Sequence, residues 1–164
     1  SLLGDEYQII EEGQNGRTIA NSDPWEWGTK CGMDYVLPMI ESHNPFDLLV
    51  IMLGSNDLLC HPCFTAGDVA ARMEQFLNTL PPCRVLLVAP PPMAPGEWVT
   101  ERRLLSESAA LAGEYEALAR RLGIGFADAG QWGVELAFDG VHFTENGHRA
   151  FAKGIQEAVL CSLG

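Results

Sequence analysis

Long apolar stretches and basic residues are both scarce in this sequence. No apolar run approaches the roughly 18 residues that cross a bilayer as a helix, and residues 1–5 do not combine a basic segment with an apolar one. The 10 Lys and Arg residues are outnumbered by 22 Asp and Glu, which gives a net charge of −12. Without a long apolar run, the sequence predicts no membrane span. Because nucleic-acid binding depends on clustered Lys and Arg, it also predicts no nucleic-acid partner.

Cysteines are few and show no framework spacing. Their number, five, is odd, which suits a reducing compartment and predicts a cytoplasmic location. The one close pair lies in Cys60-His61-Pro62-Cys63, which is read either as half a zinc site or as a redox motif. No second pair with ligand spacing follows it, so the sequence predicts no zinc there.

The residues that are present describe a globular domain. With 164 residues, of which 47% are hydrophobic and 20% charged, the chain is long enough to bury a core. No repeat, linker or low-complexity tract interrupts it. The prediction is a single domain over residues 1–164.

The most informative stretch is Phe46–Leu53, which runs directly into Gly54-Ser55-Asn56-Asp57. Its last six residues are all apolar and end at a glycine, which predicts a strand buried on both faces at the centre of a parallel sheet. Ligands of parallel sheets bind beyond the carboxyl ends of the strands, so Asn56 and Asp57 are candidate site residues. An ordinary strand-to-loop turn is the alternative, because Gly, Asn and Asp are all turn residues.

Strand and helix patterns alternate along the whole chain. Four strands are predicted: Tyr7–Glu11, Phe46–Leu53, Arg84–Ala89 and Ile124–Asp128. Apolar positions at helical spacing predict helices after Met33, after Thr65, after Thr100 and near Glu145. This alternation predicts an α/β fold, a three-layer α/β/α sandwich with a parallel sheet. Trp25 and Trp27 lie in an irregular loop, either as a lid over the core or as the lip of a binding site.

Three predicted strand-end loops contain residue types suited to acyl transfer. His142 is a candidate general base, and Asp139, three residues earlier, is placed to hold its ring. The side-chain amide of Asn56 and the backbone N–H of Gly13 are candidate donors to an oxyanion. Each signal is weak alone, because a single histidine before a helix is more often structural.

Together these motifs resemble the SGNH (GDSL-type) hydrolase superfamily, closest to its small aryl-esterase and acyl-transferase branch. Glu12–Thr18 is similar to the second family block, Gly54–Asp57 to the G-x-N-D block and Asp139–His142 to the final D-x-x-H block. The resemblance implies a flavodoxin-like fold, a small-molecule ester substrate, and no metal or organic cofactor. It assigns Gly13 and Asn56 to the oxyanion hole, His142 as base with Asp139 as its partner, and Asp57 as a structural brace.

The sequence departs from the family at the nucleophile. The first family block, G-D-S-L, holds the nucleophilic serine at the end of the first strand, and no such block stands in this chain. We therefore expect an N-terminally incomplete, nearly inactive domain that lacks the strand between Tyr7–Glu11 and Leu48–Leu53. Unpaired strand edges predict a homo-oligomer.

Two other interpretations compete with a serine hydrolase. One is a truncated or decayed family member that only binds or assembles. The other is a nucleotide-binding α/β domain, which is disfavoured because no G-x-G-x-x-G or P-loop follows any predicted strand.

Overall fold

The computed structural model describes residues 3–20 and 30–164, so Trp25 and Trp27 lie outside the described residues. In these two ranges a three-stranded sheet is flanked by five α-helices and one 3₁₀ helix at Ala129–Trp132. The helices are α1 (Gly32–His43), α2 (Ser55–Cys60), α3 (Ala66–Asn78), α4 (Arg102–Leu122) and α5 (Glu145–Leu163). The strands are β1 (Leu49–Ile51), β2 (Val85–Ala89) and β3 (Gly125–Asp128).

The sheet is parallel, in the order β1-β2-β3. All five residues of β2 are buried, and they alternate between the two faces of the sheet. Val85, Leu87 and Ala89 join the core on one face, whereas Leu86 and Val88 join the core on the other. The predicted α/β class with a parallel sheet between helices is confirmed.

Helices cover the two faces unequally. Residues from α1, α3 and α4 form the larger core, which includes Val36, Met73 and the fully buried Tyr115. The smaller core lies under α5, where Phe151 and Ile155 are only partly buried. No helix in the described ranges is both long and apolar enough to span a membrane.

The position of β1 corrects the sequence prediction of a central strand. Within the described residues β1 is only three residues long and pairs on one side, with β2. Its middle residue, Val50, is 40% exposed. A central strand has a paired strand on each side, and among the described strands that position belongs to β2.

Tyr7–Glu11, predicted as a strand, forms no assigned strand. Ile9 and Ile10 are 55% and 43% exposed, so this segment is not part of a core. A strand needs a neighbour that completes its ladder of hydrogen bonds, and no described residue pairs with this segment.

Helix ends follow the sequence signals more closely. Thr65 and Asp68 form the capping box that begins α3, and Thr144 caps α5 by accepting the N–H of Gly147 at 3.0 Å. Gly123 ends α4, as predicted. The short helix α2 was not predicted, because Gly54–Asp57 has the composition of a turn.

Candidate active site

Asp139 and His142 form a hydrogen-bonded pair in the loop before α5. Nδ1 of His142 lies 2.8 Å from Oδ2 of Asp139, which confirms the contact predicted from the sequence. The other carboxylate oxygen accepts the backbone N–H groups of Val141 and His142 at 2.8 and 2.9 Å. These hydrogen bonds from His142, Val141 and the ring lower the pKa of Asp139, so the carboxylate is ionised at neutral pH.

Close backbone packing fixes the shape of this loop. Gly140 has a φ of 84°, and a Cβ there would lie 2.1 Å from the carbonyl oxygen of Ala94. The segment after β2 runs alongside: Ala94 donates to the carbonyl of Gly140 at 3.0 Å, and Trp98 donates to that of Asp139 at 3.1 Å. The Asp139–His142 pair is therefore anchored by a neighbouring strand-end loop.

The imidazole of His142 is oriented from two sides. Asp139 holds Nδ1, and the indole of Trp98 packs edge-to-face against the ring, with centroids 5.0 Å apart and planes at 80°. The His142 side chain is still 51% exposed. Nε2 makes no hydrogen bond to any described residue, which leaves it available to exchange a proton with a bound molecule.

Asn56 lies in a cleft of about 170 Å³ beside this loop. The cleft is lined by Arg17, Met52, Leu53, Gly54, Ser55, Asn56, Pro90, Pro91, Met93, Val141 and Phe143. Because Val141 is adjacent to His142, the structure brings the Asn56 and His142 segments to the same edge of the sheet. The Nδ2 group of Asn56 donates to the carbonyl of Arg17 at 3.0 Å. One amide hydrogen is thus used for orientation and the second stays free for a ligand.

Asp57 occupies a purely internal position. Its carboxylate is fully buried and accepts the backbone N–H of Ile19. This contact fits the brace that the family resemblance implied.

The two glycines of the second block, Gly13 and Gly16, differ in burial. Gly13 is exposed, and neither glycine lines the cleft, where Arg17 alone represents the second block. Gly16 is buried at the third position of a turn that closes when Arg17 donates to the carbonyl of Gln14 at 3.2 Å. Its φ of 74° suits a type II turn, and its N–H makes no hydrogen bond to any described residue. The structure therefore brings Gly16, rather than Gly13, next to a residue that contacts Asn56.

Most described serines are committed to backbone contacts. The hydroxyls of Ser42, Ser106, Ser108 and Ser162 all bond to carbonyl oxygens within their own helices. Ser108 also accepts the N–H of Met93 at 3.0 Å, which makes it a structural link beneath the loop after β2. Ser55 is the exception, because it lines the cleft and forms no hydrogen bond to a described residue.

The cysteine pair is not part of this site. None of the five cysteines forms a disulfide, and the described residues contain no group of three or more His, Cys, Asp and Glu side chains arranged to hold a metal. The absence of zinc at Cys60 and Cys63 stays a prediction.

Comparison with known proteins supplies the family. The profile of the GDSL-like Lipase/Acylhydrolase family matches residues 1–150. The chain belongs to this family. A comparison with curated proteins gives no match.

Two solved structures resemble the chain closely. A carbohydrate acetylesterase family member from Sinorhizobium meliloti is 31% identical over 99% of this chain and 83% of its own, with a TM-score of 0.89. The native aryl esterase of M. smegmatis is 32% identical over 98% of this chain and 81% of its own, with a TM-score of 0.86. The predicted resemblance to the SGNH superfamily is confirmed, and the fold is that of an SGNH esterase or acylhydrolase.

Sequence reasoning about this GDSL-like hydrolase missed three features of the site. Trp98 follows the prolines after β2, so its position beyond a strand end was a usable signal. Arg17 and Gly16 lie inside the recognised second block, but only the hydrogen bond from Asn56 shows which part of that block reaches the cleft.

Proposed function

We propose that this chain is a serine-type hydrolase scaffold for small carboxylic esters of acyl or aryl type. The observation that supports it most is the His142–Asp139 pair, with Nδ1 held at 2.8 Å and Nε2 facing away from any described partner. In such a pair the imidazole takes the proton of an attacking hydroxyl and later returns it to the leaving alkoxide. Asp139 keeps the ring in the required tautomer and stabilises the imidazolium.

The proposed oxyanion hole combines Asn56 with the second block. The free amide hydrogen of Asn56 and a backbone N–H of the Gly13–Arg17 turn donate to the negative charge that develops on the carbonyl oxygen. Gly13 was the predicted donor, but Gly16 is the better candidate because it is buried next to the Arg17 carbonyl that binds Asn56. The cleft beside them, about 170 Å³ and lined by Met52, Pro90 and Val141 among others, suits a short acyl group.

We propose that none of the described serines is the nucleophile. Four of them are bonded within helices, and no hydrogen bond joins any of them to His142. This 164-residue chain should then be nearly inactive. A family member that only binds or assembles is the alternative, and it differs from the first proposal in predicting no gain of activity when a serine is supplied.

Location and assembly are further parts of the proposal. Five cysteines without a disulfide suit a reducing compartment, which supports a cytoplasmic location. Among the described residues β1 pairs on one side only, and Val50 is 40% exposed. Both observations support self-association, because an open strand edge beside an apolar surface favours pairing with another chain.

A covalent probe tests the nucleophile directly. A fluorophosphonate reacts with a hydroxyl only when a neighbouring base activates it. We expect no adduct on the chain as given, by intact-mass measurement. An adduct that maps to Ser55, and that His142→Ala removes, would identify a nucleophile in the cleft and overturn the expected inactivity.

A further inference from the structure

Glu12 lies at the centre of a side-chain cluster outside the His142–Asp139 pair. Its Oε2 accepts the hydroxyl of Tyr35 at 2.6 Å, and its Oε1 lies 2.6 Å from Nε2 of His43. Both partners belong to α1, at positions on either side of Pro38. Glu12 and His43 are about two-thirds buried, with 29% and 30% of their side chains exposed. One carboxylate therefore joins the second block to two points of a helix.

Arg17 links this cluster to the cleft. Its guanidinium stacks over the ring of Tyr35, with the central carbon 4.0 Å from the ring centroid, and also donates to the side chain of Gln14 at 3.0 Å. Its backbone carbonyl accepts the amide of Asn56 at 3.0 Å. A continuous set of contacts thus runs from Glu12 through Tyr35 and Arg17 to Asn56.

The turn that these contacts enclose has few other supports on its N-terminal side. Residues 13–15 are exposed, and the three atoms nearest to a Cβ built at Gly16 all belong to the side chain of Lys30. Thr18 anchors the C-terminal side by donating to the carbonyl of Lys30 at 3.1 Å. On the other side the hydrogen bonds to α1 come from the Glu12 carboxylate.

We propose that Glu12 is a positioning residue. Its contacts with Tyr35 and His43, called the clamp below, set the positions of the Gly16 N–H and of the Asn56 amide. This inference rests on the proposed oxyanion hole. Glu12 would not touch the substrate itself. The hydrogen bond from Tyr35, followed by that from His43, lowers the pKa of Glu12, so the clamp is made by an ionised carboxylate at neutral pH. Small errors in the placement of oxyanion donors reduce their effect sharply, which gives such a clamp a functional purpose.

Nuclear magnetic resonance of the ¹⁵N-labelled chain tests the clamp without any need for turnover. The variants are Glu12→Gln and Tyr35→Phe, and the matched control is Glu11→Gln. Glu11 is adjacent and exposed, and it has no hydrogen bond to a described residue, so the control changes charge equally without touching the clamp. We expect hydrogen exchange at the Arg17 amide to accelerate about tenfold in both clamp variants, together with a shift of the Asn56 side-chain amide. The control should match the parent protein.

Binding of acetate provides the functional readout. Acetate places a charged oxygen where the oxyanion would form, and its affinity is read from the Gly16 and Asn56 signals. Loss of a negative charge at residue 12 alone would strengthen binding, and Glu11→Gln measures that effect. We expect Glu12→Gln to bind acetate about tenfold more weakly despite this, and Tyr35→Phe to change in the same direction without any change of charge.

Two results separate the clamp from the proposed function. Unchanged Arg17 exchange and an unchanged Asn56 signal in Tyr35→Phe, with the fold intact by its melting temperature, would overturn the positioning role of Glu12. If acetate shifts neither Gly16 nor Asn56 in the parent protein, the oxyanion hole is wrong, while the exchange data still decide whether the clamp exists.

Discussion

The carboxylate of Asp57 accepts the backbone N–H of Ile19, with its two oxygens 3.2 and 3.1 Å from a nitrogen that lies 38 residues earlier in the chain. Asp57 is fully buried and lies two residues after Ser55, in the first turn of α2. The contact therefore fixes Asn56, the preceding residue, relative to the segment that follows the second block. It also places a carboxylate where its ionised form is costly.

Asp57 makes stability depend on pH in a defined window. Burial raises its pKa from 3.8 to about 6, against the opposing effects of the Ile19 N–H and the charge of Arg72. Between these values the folded chain binds more protons at Asp57 than the unfolded chain does, so this group's contribution to stability decreases as the pH rises from about 4 to 6. Asp57→Asn removes that dependence and keeps an oxygen for the Ile19 N–H.

Urea denaturation at several pH values measures this effect. The free energy of unfolding of Asp57→Asn minus that of the parent should grow by up to about 3 kcal/mol between pH 4 and pH 7. The exposed Asp47, with Asp47→Asn, serves as the control. Parallel curves for the parent and Asp57→Asn would show that burial does not shift this carboxyl.

Trp98 should control access to the imidazole of His142. The edge-to-face contact at 5.0 Å covers one side of a ring that is otherwise half exposed. Aromatic pairs of this kind are worth about 0.5–1.5 kcal/mol. Losing one corresponds to a roughly two- to tenfold increase in the fraction of molecules whose His142 ring is not covered by the indole. Trp98→Ala should therefore speed the modification of His142 by diethylpyrocarbonate by about that factor, whereas Trp98→Phe should stay near the parent rate.

Mass spectrometry of the modified peptide provides an internal reference for this measurement. His148 is exposed and follows His142 closely, so the ratio of the two modified histidines corrects for reagent decay. A ratio that is the same in the parent protein and in Trp98→Ala would mean that the indole does not restrain the ring.

Local signals in the sequence were sufficient for much of this structure. Helix α3 was predicted because Val69, Met73 and Phe76 recur at helical spacing. The Asp139–His142 contact was predicted because the two residues are three positions apart, across a tight turn that contains a glycine. These features depend on neighbours in the chain. Their physical causes are periodicity and turn geometry, which a sequence displays directly.

Features set by distant segments were predicted poorly. The six apolar residues from Leu48 to Leu53 do not reveal how many strands pair with β1, so its edge position among the described strands was missed. The second block offers two glycines, and only the contact between Asn56 and Arg17 distinguishes them. The edge-to-face contact of Trp98 with His142 likewise requires the loop after β2 to meet the loop before α5.

The edge of β1 should determine assembly. Val50 and Leu37 are both 40% exposed, but Val50 lies on β1 and Leu37 on α1. If chains associate through the strand edge, Val50→Lys should shift the protein toward monomer, because a lysine on an edge strand opposes pairing with another chain. Leu37→Lys should leave the assembly unchanged. Analytical ultracentrifugation of the three proteins at equal concentration measures the shift, and a parent protein that is already monomeric would contradict self-association.

The last prediction concerns hydrolysis and rests on the proposal that no described serine is the nucleophile. Loss of the nucleophile from a serine hydrolase costs on the order of 10⁶ in turnover, while the oxyanion hole and binding retain roughly 10³ over water. The chain should therefore hydrolyse phenyl acetate only marginally above background. A longer form, extended before Ser1 by a strand-forming segment that ends in Gly-Asp-Ser, should recover hydrolysis, because the added hydroxyl can meet the free Nε2 of His142. His142→Ala should abolish the recovered activity, and Asp139→Asn should reduce it by about 10²–10⁴-fold through loss of the correct tautomer.

If the longer form folds, shown by an unchanged circular dichroism spectrum, and still does not hydrolyse the ester, the chain belongs to the members that only bind or assemble. Brisk hydrolysis by the 164-residue chain itself, removed by His142→Ala, would instead mean that a hydroxyl or a water already present acts as the nucleophile.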